Sequence, residues 1–286
     1  MKKSGMRPWF YILPALLFLT FFLVYPSIRT FHLSLLDRRS TAFVGIDNYR
    51  FAFTSRAMLI AFRNNLIWLI LFTLFTVGGG LVIAVLMDKV KYEPFAKSII
   101  FLPQAISFVG AGVIWRFVYD HRPGVGLLNA VLTFVFPDMQ PIGWLVNSDT
   151  ATYAVIVTGI WVWTGFSMTI LSAAIKGISD EIEEAARMDG ANAWQMFWLI
   201  TVPLISSTIA VVATTMVINV LKVFDLVYVM TAGRYDTNVI ANQMYVELFI
   251  TRHNGRASAI AVVLLLAIVP IMLLNIRRFQ EQEALR

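Results

Sequence analysis

Residues 65–87 read NLIWLILFTLFTVGGGLVIAVLM, and they decide the class of the molecule. No Asp, Glu, Lys or Arg interrupts the run. At about 1.5 Å of helical rise per residue it reaches across the roughly 30 Å hydrocarbon core of a bilayer. A helix satisfies its own backbone N–H and C=O groups, the condition for crossing lipid without water. The whole chain agrees. Soluble domains carry about 25% charged residues, whereas here 14% are charged, 58% are hydrophobic and the mean hydropathy is +0.73. The bilayer is the solvent for most of this protein.

Five further stretches qualify as spans: 9–31, 98–119, 152–175, 204–230 and 258–276. The sequence therefore predicts an all-α integral membrane protein of about six transmembrane helices, organised as one domain over residues 1–286. The first run follows Lys2, Lys3 and Arg7, and it is too long, and too poor in small residues at its end, for a cleaved signal peptide. The fifth run carries Ser206, Ser207, Thr208, Thr214, Thr215, Asn219, Lys222 and Asp225. A helix that polar belongs inside a bundle or beside a water-filled path. Gly78, Gly79 and Gly80, with Pro14, Pro26, Pro103 and Pro270, read as packing devices rather than gating hinges.

Six spans put both termini on one side of the membrane, together with the loops 88–97 and 176–203. The loops near 32–64, 120–151 and 231–257 lie on the other. Basic residues nearly tie in number, but on the first side they crowd into short loops and tails. Lys2, Lys3, Lys89, Lys91, Lys97 and Lys176 are all there, and only Lys222 is elsewhere. That density predicts cytoplasmic termini. The net charge of +6 then reflects attraction to anionic lipid rather than to nucleic acid.

Several chemistries are excluded. With no cysteine there is no disulfide, thiolate metal site or cysteine nucleophile. His32, His121 and His253 are isolated, with no second ligand at helical spacing, so no metal site is predicted. The patterns H-E-x-x-H, G-x-S-x-G and G-x-x-x-x-G-K-[ST] are absent, so the sequence predicts neither an enzyme nor an ATPase site of its own.

Residues 178–203, ISDEIEEAARMDGANAWQMFWLITVP, carry the functional information. They read as two short helices around Gly190. Asp180 caps the first, with Glu183 as its reciprocal capping-box partner, and the crowd of carboxylates suits the positive end of the helix dipole. Gly190 stands where a helix stop wants a left-handed residue. Asn192 caps again, with Gln195 at the matching offset, and Pro203 opens the fifth span. A hairpin lying on lipid would show lysines and arginines on its polar face; this one shows carboxylates. Its small Ala185, Ala186, Gly190 and Ala191 suit close docking in a groove of a partner.

Glu184-Ala185-Ala186, then Gly190, Ile200 and Val202-Pro203, resembles the EAA motif of binding-protein-dependent ABC importer permeases, with Val202 in place of their usual leucine. Phe43-Val44-Gly45-Ile46-Asp47-Asn48-Tyr49 is similar to a signature of the MalF-like sugar permeases, and Phe224–Thr231 to the run that closes their fifth span. Many relatives continue Gly-Gly-Pro. This chain has Gly233-Arg234-Tyr235 followed by 236–242, which resembles the α-glucoside branch.

The resemblance implies the type I importer permease fold in the inner membrane of a prokaryote. It implies a second permease subunit, two cytosolic ATPases that hold ATP and Mg, an external solute-binding protein, and a sugar as substrate. The loop 176–203 would be the coupling helix: Glu184 pairs with a basic residue of the ATPase, Ala185 and Ala186 let backbones approach, and Gly190 allows the turn. Asp189, Ile200 and Pro203 complete the coupling set. The fourth and fifth spans would supply a substrate pathway near Trp163, Phe166, Asn219 and Val223. Asn219, Lys222 and Asp225 share one helical face by their spacing; Lys222 and Asp225 either neutralise each other or line that pathway. Without a strongly basic cluster inside the spans, a neutral sugar (an α-glucoside or oligosaccharide) suits it best. The alternative, a secondary sugar carrier driven by an ion gradient, would show symmetric halves and paired acidic relays, and neither is present.

Overall fold

The structure, a computed structural model, describes residues 7–88 and 90–284. Lys2, Lys3 and Lys89 lie outside the described residues, as do the side chains of Trp9 and Phe10 in the first apolar run and those at 271, 272 and 274–284. In chain order the helices are α1 (Tyr11–Ser34), α2 (Asp47–Thr54), α3 (Arg56–Met87), α4 (Glu93–Phe101), α5 (Phe108–Val118), α6 (Leu127–Val135), α7 (Ala151–Lys176), α8 (Asp180–Met188), α9 (Ala193–Leu204), α10 (Ser206–Leu221), α11 (Asp225–Thr231), α12 (Ile240–Tyr245) and α13 (Asn254–Ala284). Among the described residues the one β-type pairing is an isolated antiparallel bridge between Leu36 and Phe43. Three of these helices, α1, α3 and α7, are long and apolar enough to cross a membrane, and two bent pairs could each supply a further crossing.

The chain packs as two compact units. One holds the residues up to 59 together with 243–266, the other residues 60–242 and the end of α13 from 267. In the first, α1 leaves its apolar surface uncovered, with Leu17, Phe18, Phe21, Phe22 and Leu23 all exposed. The stretch 43–49 explains itself here. Gly45 has φ +60, a left-handed conformation that suits glycine. Asn48 is 4% exposed, and its amide donates to the carbonyls of Ser34 (2.9 Å) and Leu36 (2.7 Å), groups that the end of α1 leaves without helical partners. The Tyr49 hydroxyl meets Ser34 Oγ at 2.6 Å. A Cβ on Gly255 would stand 2.1 Å from the Leu36 carbonyl oxygen, so the first turn of α13 packs on the same corner.

In the second unit α7 is the central helix. Val155, Ile156, Val162, Met168 and Leu171 are all buried on it, as expected of a helix apolar on every side. Glycines set its neighbours close. Gly159 faces Trp68 and Phe72 of α3, Gly165 lies against the Ile100 carbonyl, and Gly80 of α3 lies against Ser167 and Met168. Gly112 of α5 faces Val229 of α11. Small residues are the usual means of helix association in lipid, where no hydrophobic force drives it.

Two of the apolar runs are not single straight helices. The run 98–119 divides between α4 and α5; the segments Glu93–Ala105 and Phe108–Val118 meet at 101°. Pro103 removes a backbone donor, the chain tightens into a 3-10 turn over Leu102–Ala105, and Ile106 and Ser107 become extended. Ser107 Oγ then accepts the Gly110 N–H at 3.1 Å and caps α5. The run 204–230 breaks twice. α9 and α10 meet at 70° around Ile205, just past Pro203, and α10 stops at Leu221, leaving Lys222–Phe224 non-helical before α11. Pro203 therefore closes α9 rather than opening a continuous span. The run 258–276 lies within α13, which continues through Pro270.

The three consecutive glycines separate packing from flexibility. A Cβ on Gly80 would stand 2.6 Å from Ser167 Cβ and 2.8 Å from the Met168 nitrogen, whereas nothing lies within 4 Å of one on Gly78. Gly80→Ala is expected to destabilise the protein by about 1–3 kcal/mol, and Gly78→Ala to be neutral or slightly stabilising. Thermal midpoints of the two variants in detergent would check this; equal behaviour would mean that the close approach is not what these glycines serve.

Candidate functional site

The second break in the polar run opens a cavity. At Lys222–Phe224 the chain leaves the helix, and the Val220 carbonyl near the end of α10 is met by the Val223 N–H at 3.1 Å and by Asn65 Nδ2 of α3 at 3.2 Å. Asn65 Oδ1 accepts the Ile240 N–H at 2.9 Å, so one buried amide serves two interrupted segments. Beside this break lies a cavity of about 200 Å³.

Its wall gathers Trp163, Asn219, Lys222, Val223 and Asp225, five of the residues named from the sequence. The sixth, Phe166, stands behind Trp163, edge-on with ring centroids 5.5 Å apart. Trp163 stacks on Phe108 at 6.1 Å. Asn219 donates to the Thr215 carbonyl at 2.9 Å, which uses one of its amide hydrogens. Among the described residues no ion pair joins Lys222 to Asp225, and both are exposed. Sequence reasoning missed Trp68, Phe72, Phe108 and Gly159, which also line it. Trp68 and Phe72 are four residues apart on α3, a spacing that puts them on one face, but in an unbroken apolar run that face does not stand out.

The acidic segment forms a rigid turn. Ser179, not Asp180, caps α8: its Oγ accepts the Glu181 N–H at 3.3 Å. Asp180 is already helical, where its carboxylate still meets the helix dipole. At the other end Gly190 has φ +85. The Ala191 N–H reaches back to the Ala186 carbonyl at 3.0 Å and the Gly190 N–H to that of Arg187 at 3.1 Å, a Schellman stop with Asp189 as its last half-helical residue. Asn192 and Gln195 then bond reciprocally, both at 2.9 Å, in the capping box that their spacing predicts.

Glu184 and Ala185 face outward, and Ala186 is buried. Arg187 pairs with Glu183 at 2.9 Å, while Glu184 has no ion-pair partner among the described residues. Ile200 lies in a π-helical stretch, Met196–Thr201, and lines a shallow cleft with Asp189 and Gly190. Pro203 stands in the last turn of α9. Sequence reasoning also missed how apolar this surface is: Met188 is 88% exposed, Trp194 71% and Leu199 71%. At the neighbouring end of α7, Lys176 reaches Glu93 at 2.6 Å, and Lys97 contacts both Glu93 and the Ser172 hydroxyl.

With this geometry in view, the comparisons with known proteins are consistent with one another. The family model described as "Binding-protein-dependent transport system inner membrane component" matches residues 8–282. The chain is similar to a Synechocystis sp. protein named "Osmoprotective compounds uptake permease protein GgtC", with 59% identity over 280 residues that cover 96% of this chain and all of that one. It is also similar to the "Alpha-glucoside transport system permease protein AglF" of Rhizobium meliloti, 44% identical over 279 residues, covering 96% of this chain and 82% of that one. A chain in the crystal structure of a bacterial ABC transporter involved in the import of the acidic polysaccharide alginate superposes with a TM-score of 0.81 at 25% identity, over 96% of each chain.

The turn yields a local test. A Cβ at Gly190 meets no neighbour within 4 Å, so a substitution there is strained by backbone conformation alone. Gly190→Ala is expected to cost about 1–2 kcal/mol and to speed amide hydrogen exchange at Ala191 more than at the buried centre of α7. Unchanged exchange at Ala191 would contradict the left-handed stop.

Proposed function

The chain belongs to the family of binding-protein-dependent transport system inner membrane components, and from that premise we propose that it is the permease of an ATP-driven importer that carries an α-glucoside or related neutral oligosaccharide. The cavity beside the broken fifth run carries this reading. Unwound helices that line a cavity are where transporters hold solutes at membrane depth. Trp163 offers an aromatic face to the apolar side of a sugar ring, and Asn219, Lys222 and Asp225 offer hydrogen-bonding groups to its hydroxyls. The name of AglF supports the glucoside class, and that of GgtC extends it to osmoprotective solutes.

The segment 178–203 is the coupling element. Its outward Glu184 and Ala185, the rigid turn at Gly190 and the apolar Met188, Trp194 and Leu199 suit a cleft on a cytosolic ATPase, which holds the ATP and Mg. A second permease subunit completes the channel, an external binding protein delivers the solute, and both termini lie on the cytoplasmic face of the inner membrane. ATP binding shifts the permease between inward- and outward-open states because the coupling element makes different contacts in each; without differential contacts nothing would shift.

The test is ATP-dependent uptake in proteoliposomes by the complete importer, with its receptor, offered sucrose, trehalose, maltose and a glucosylated polyol. Asn219→Ala and Trp163→Ala are expected to lower uptake by about tenfold, the effect of losing one buried polar or stacking contact, while the ATPase still co-purifies. Glu184→Lys is expected to lose the ATPase. Normal uptake in both cavity variants would retire the solute site, and uptake without ATP would retire the importer.

A further inference from the structure

A second, larger cavity lies along the same two helices as the first. Phe108 of α5 lines the inner cavity and Arg116 the outer one. Eight residues of helix separate them, about 12 Å. On α11, Asp225 and Leu226 border the inner space and Tyr228–Thr231 the outer. The outer cavity measures about 600 Å³, within the usual range for a small-molecule site of about 300–1,000 Å³.

Its wall is unusually rich in donors. Trp144 lines the cavity by its ring, its Nε1 being buried out of reach of a solute there. The Trp144 ring lies 6.1 Å from that of Tyr119, so this side chain contributes an aromatic surface. Arg116 makes one long contact, 3.5 Å to the Val229 carbonyl, and among the described residues neither Arg116 nor Arg234 has a carboxylate partner. The carboxylate in this wall, Asp120, is already engaged: Arg122 donates to it from Nε (2.9 Å), Nη2 (2.7 Å) and its backbone N–H (2.9 Å). Arg122 accordingly holds the Asp120 carboxyl well below the usual carboxylate range.

Arg234 and Tyr235 are brought to this wall by a strained loop. Ala232 (φ 54), Gly233 (φ 76), Tyr235 (φ 55) and Asp236 (φ 55) are all left-handed. Non-glycine residues held so cost on the order of 1–3 kcal/mol each, and such strain gathers at functional sites. Asn64 holds the loop by donating to the carbonyls of Asp236 (2.5 Å) and Asn238 (2.8 Å), and the Thr231 and Thr237 hydroxyls meet at 2.6 Å.

We infer that the outer cavity is a second solute site, a vestibule in which the same hydroxyl-rich glycoside rests before reaching the inner cavity. Trp144 supplies an aromatic face, and Arg116 and Arg234 donate to hydroxyl and ring oxygens. The inference rests on the transport reading above. It adds a place where the solute waits, and the loop 232–236 as the element that shapes it.

The experiment uses the complete importer in nanodiscs without its receptor. The radiolabelled probe is whichever of sucrose, trehalose, maltose or the glucosylated polyol gives receptor-dependent uptake. Asn219→Ala is expected to weaken the inner site about tenfold and to leave a residual component of binding at unchanged affinity. Adding either Arg116→Gln or Arg234→Gln is expected to weaken that residue of binding about tenfold, with the thermal midpoint unchanged in at least one of them. Absence of residual binding in Asn219→Ala, residual binding insensitive to both second changes, or displacement of the probe by inorganic phosphate instead of unlabelled sugar would overturn the vestibule. Those outcomes are distinct from a failure of the transport reading, in which no sugar of the panel is taken up.

Discussion

Inside lipid, a backbone N–H or C=O without a partner costs several kcal/mol, and at two of the three breaks in the apolar runs a side chain helps to meet that demand. Asn65 is the key case. From the start of the apolar run in α3 it donates to the Val220 carbonyl, which the Val223 N–H also meets, and accepts from the Ile240 N–H, so one amide supports two interrupted segments. Asn64 supports the carbonyls of Asp236 and Asn238 in the loop that follows α11. Ser107 caps the start of α5. Replace these three with leucine and the hydropathy would rise while the two breaks and that loop lost their support.

The cavity follows from the break. A continuous helix packed on α7 would fill the space beside Trp163 with its own side chains, as Gly80, Gly159 and Gly165 show for the close contacts elsewhere on α7. Interrupting the helix at Lys222–Phe224 opens about 200 Å³ and brings two charged groups to its rim without pairing them. Charges in a membrane protein are expected to face a polar space or one another, and here the structure provides the space.

Much of this was legible in the sequence. Uninterrupted apolar runs identify α3 and α7, because length and the absence of charge are local properties. The turn at 190–195 was legible for the same reason: a left-handed glycine and an Asn-x-x-Gln cap act within a few residues. The breaks were less so. Pro103 and Pro203 mark two of them, but Lys222–Phe224 contains neither proline nor glycine, and its support, Asn65, lies far away in the chain. The first cap shows the limit of local reasoning at single-residue scale. Ser179 and Asp180 are both good caps, and choosing between them depends on where the backbone leaves the extended region, at ψ 135 for Ser179. The aromatic wall from Trp68 and Phe72 was hidden because an apolar run conceals which of its faces meets a cavity.

The connectivity around the acidic turn bears on how motion would travel. Only Gly177, Ile178 and Ser179 separate α8 from the end of α7, and that end is pinned by Lys176, Lys97, Ser172 and Glu93. On its other side the Schellman stop and the capping box lock α8 to α9, which meets α10 at the bend around Ile205. Force applied to α8 therefore has two short routes, one into α7 and one through α9 into α10. Those two helices carry Trp163 and Asn219, on the wall of the same cavity. Coupling between distant sites requires packed elements with discrete arrangements rather than a slack tether, and a flexible loop in place of residues 178–203 would dissipate the push before it reached either wall. On the transport reading, the stiffness of that turn matters as much as the chemistry of the cavity, because a solute site that cannot be opened and closed by its neighbours binds but does not move its cargo.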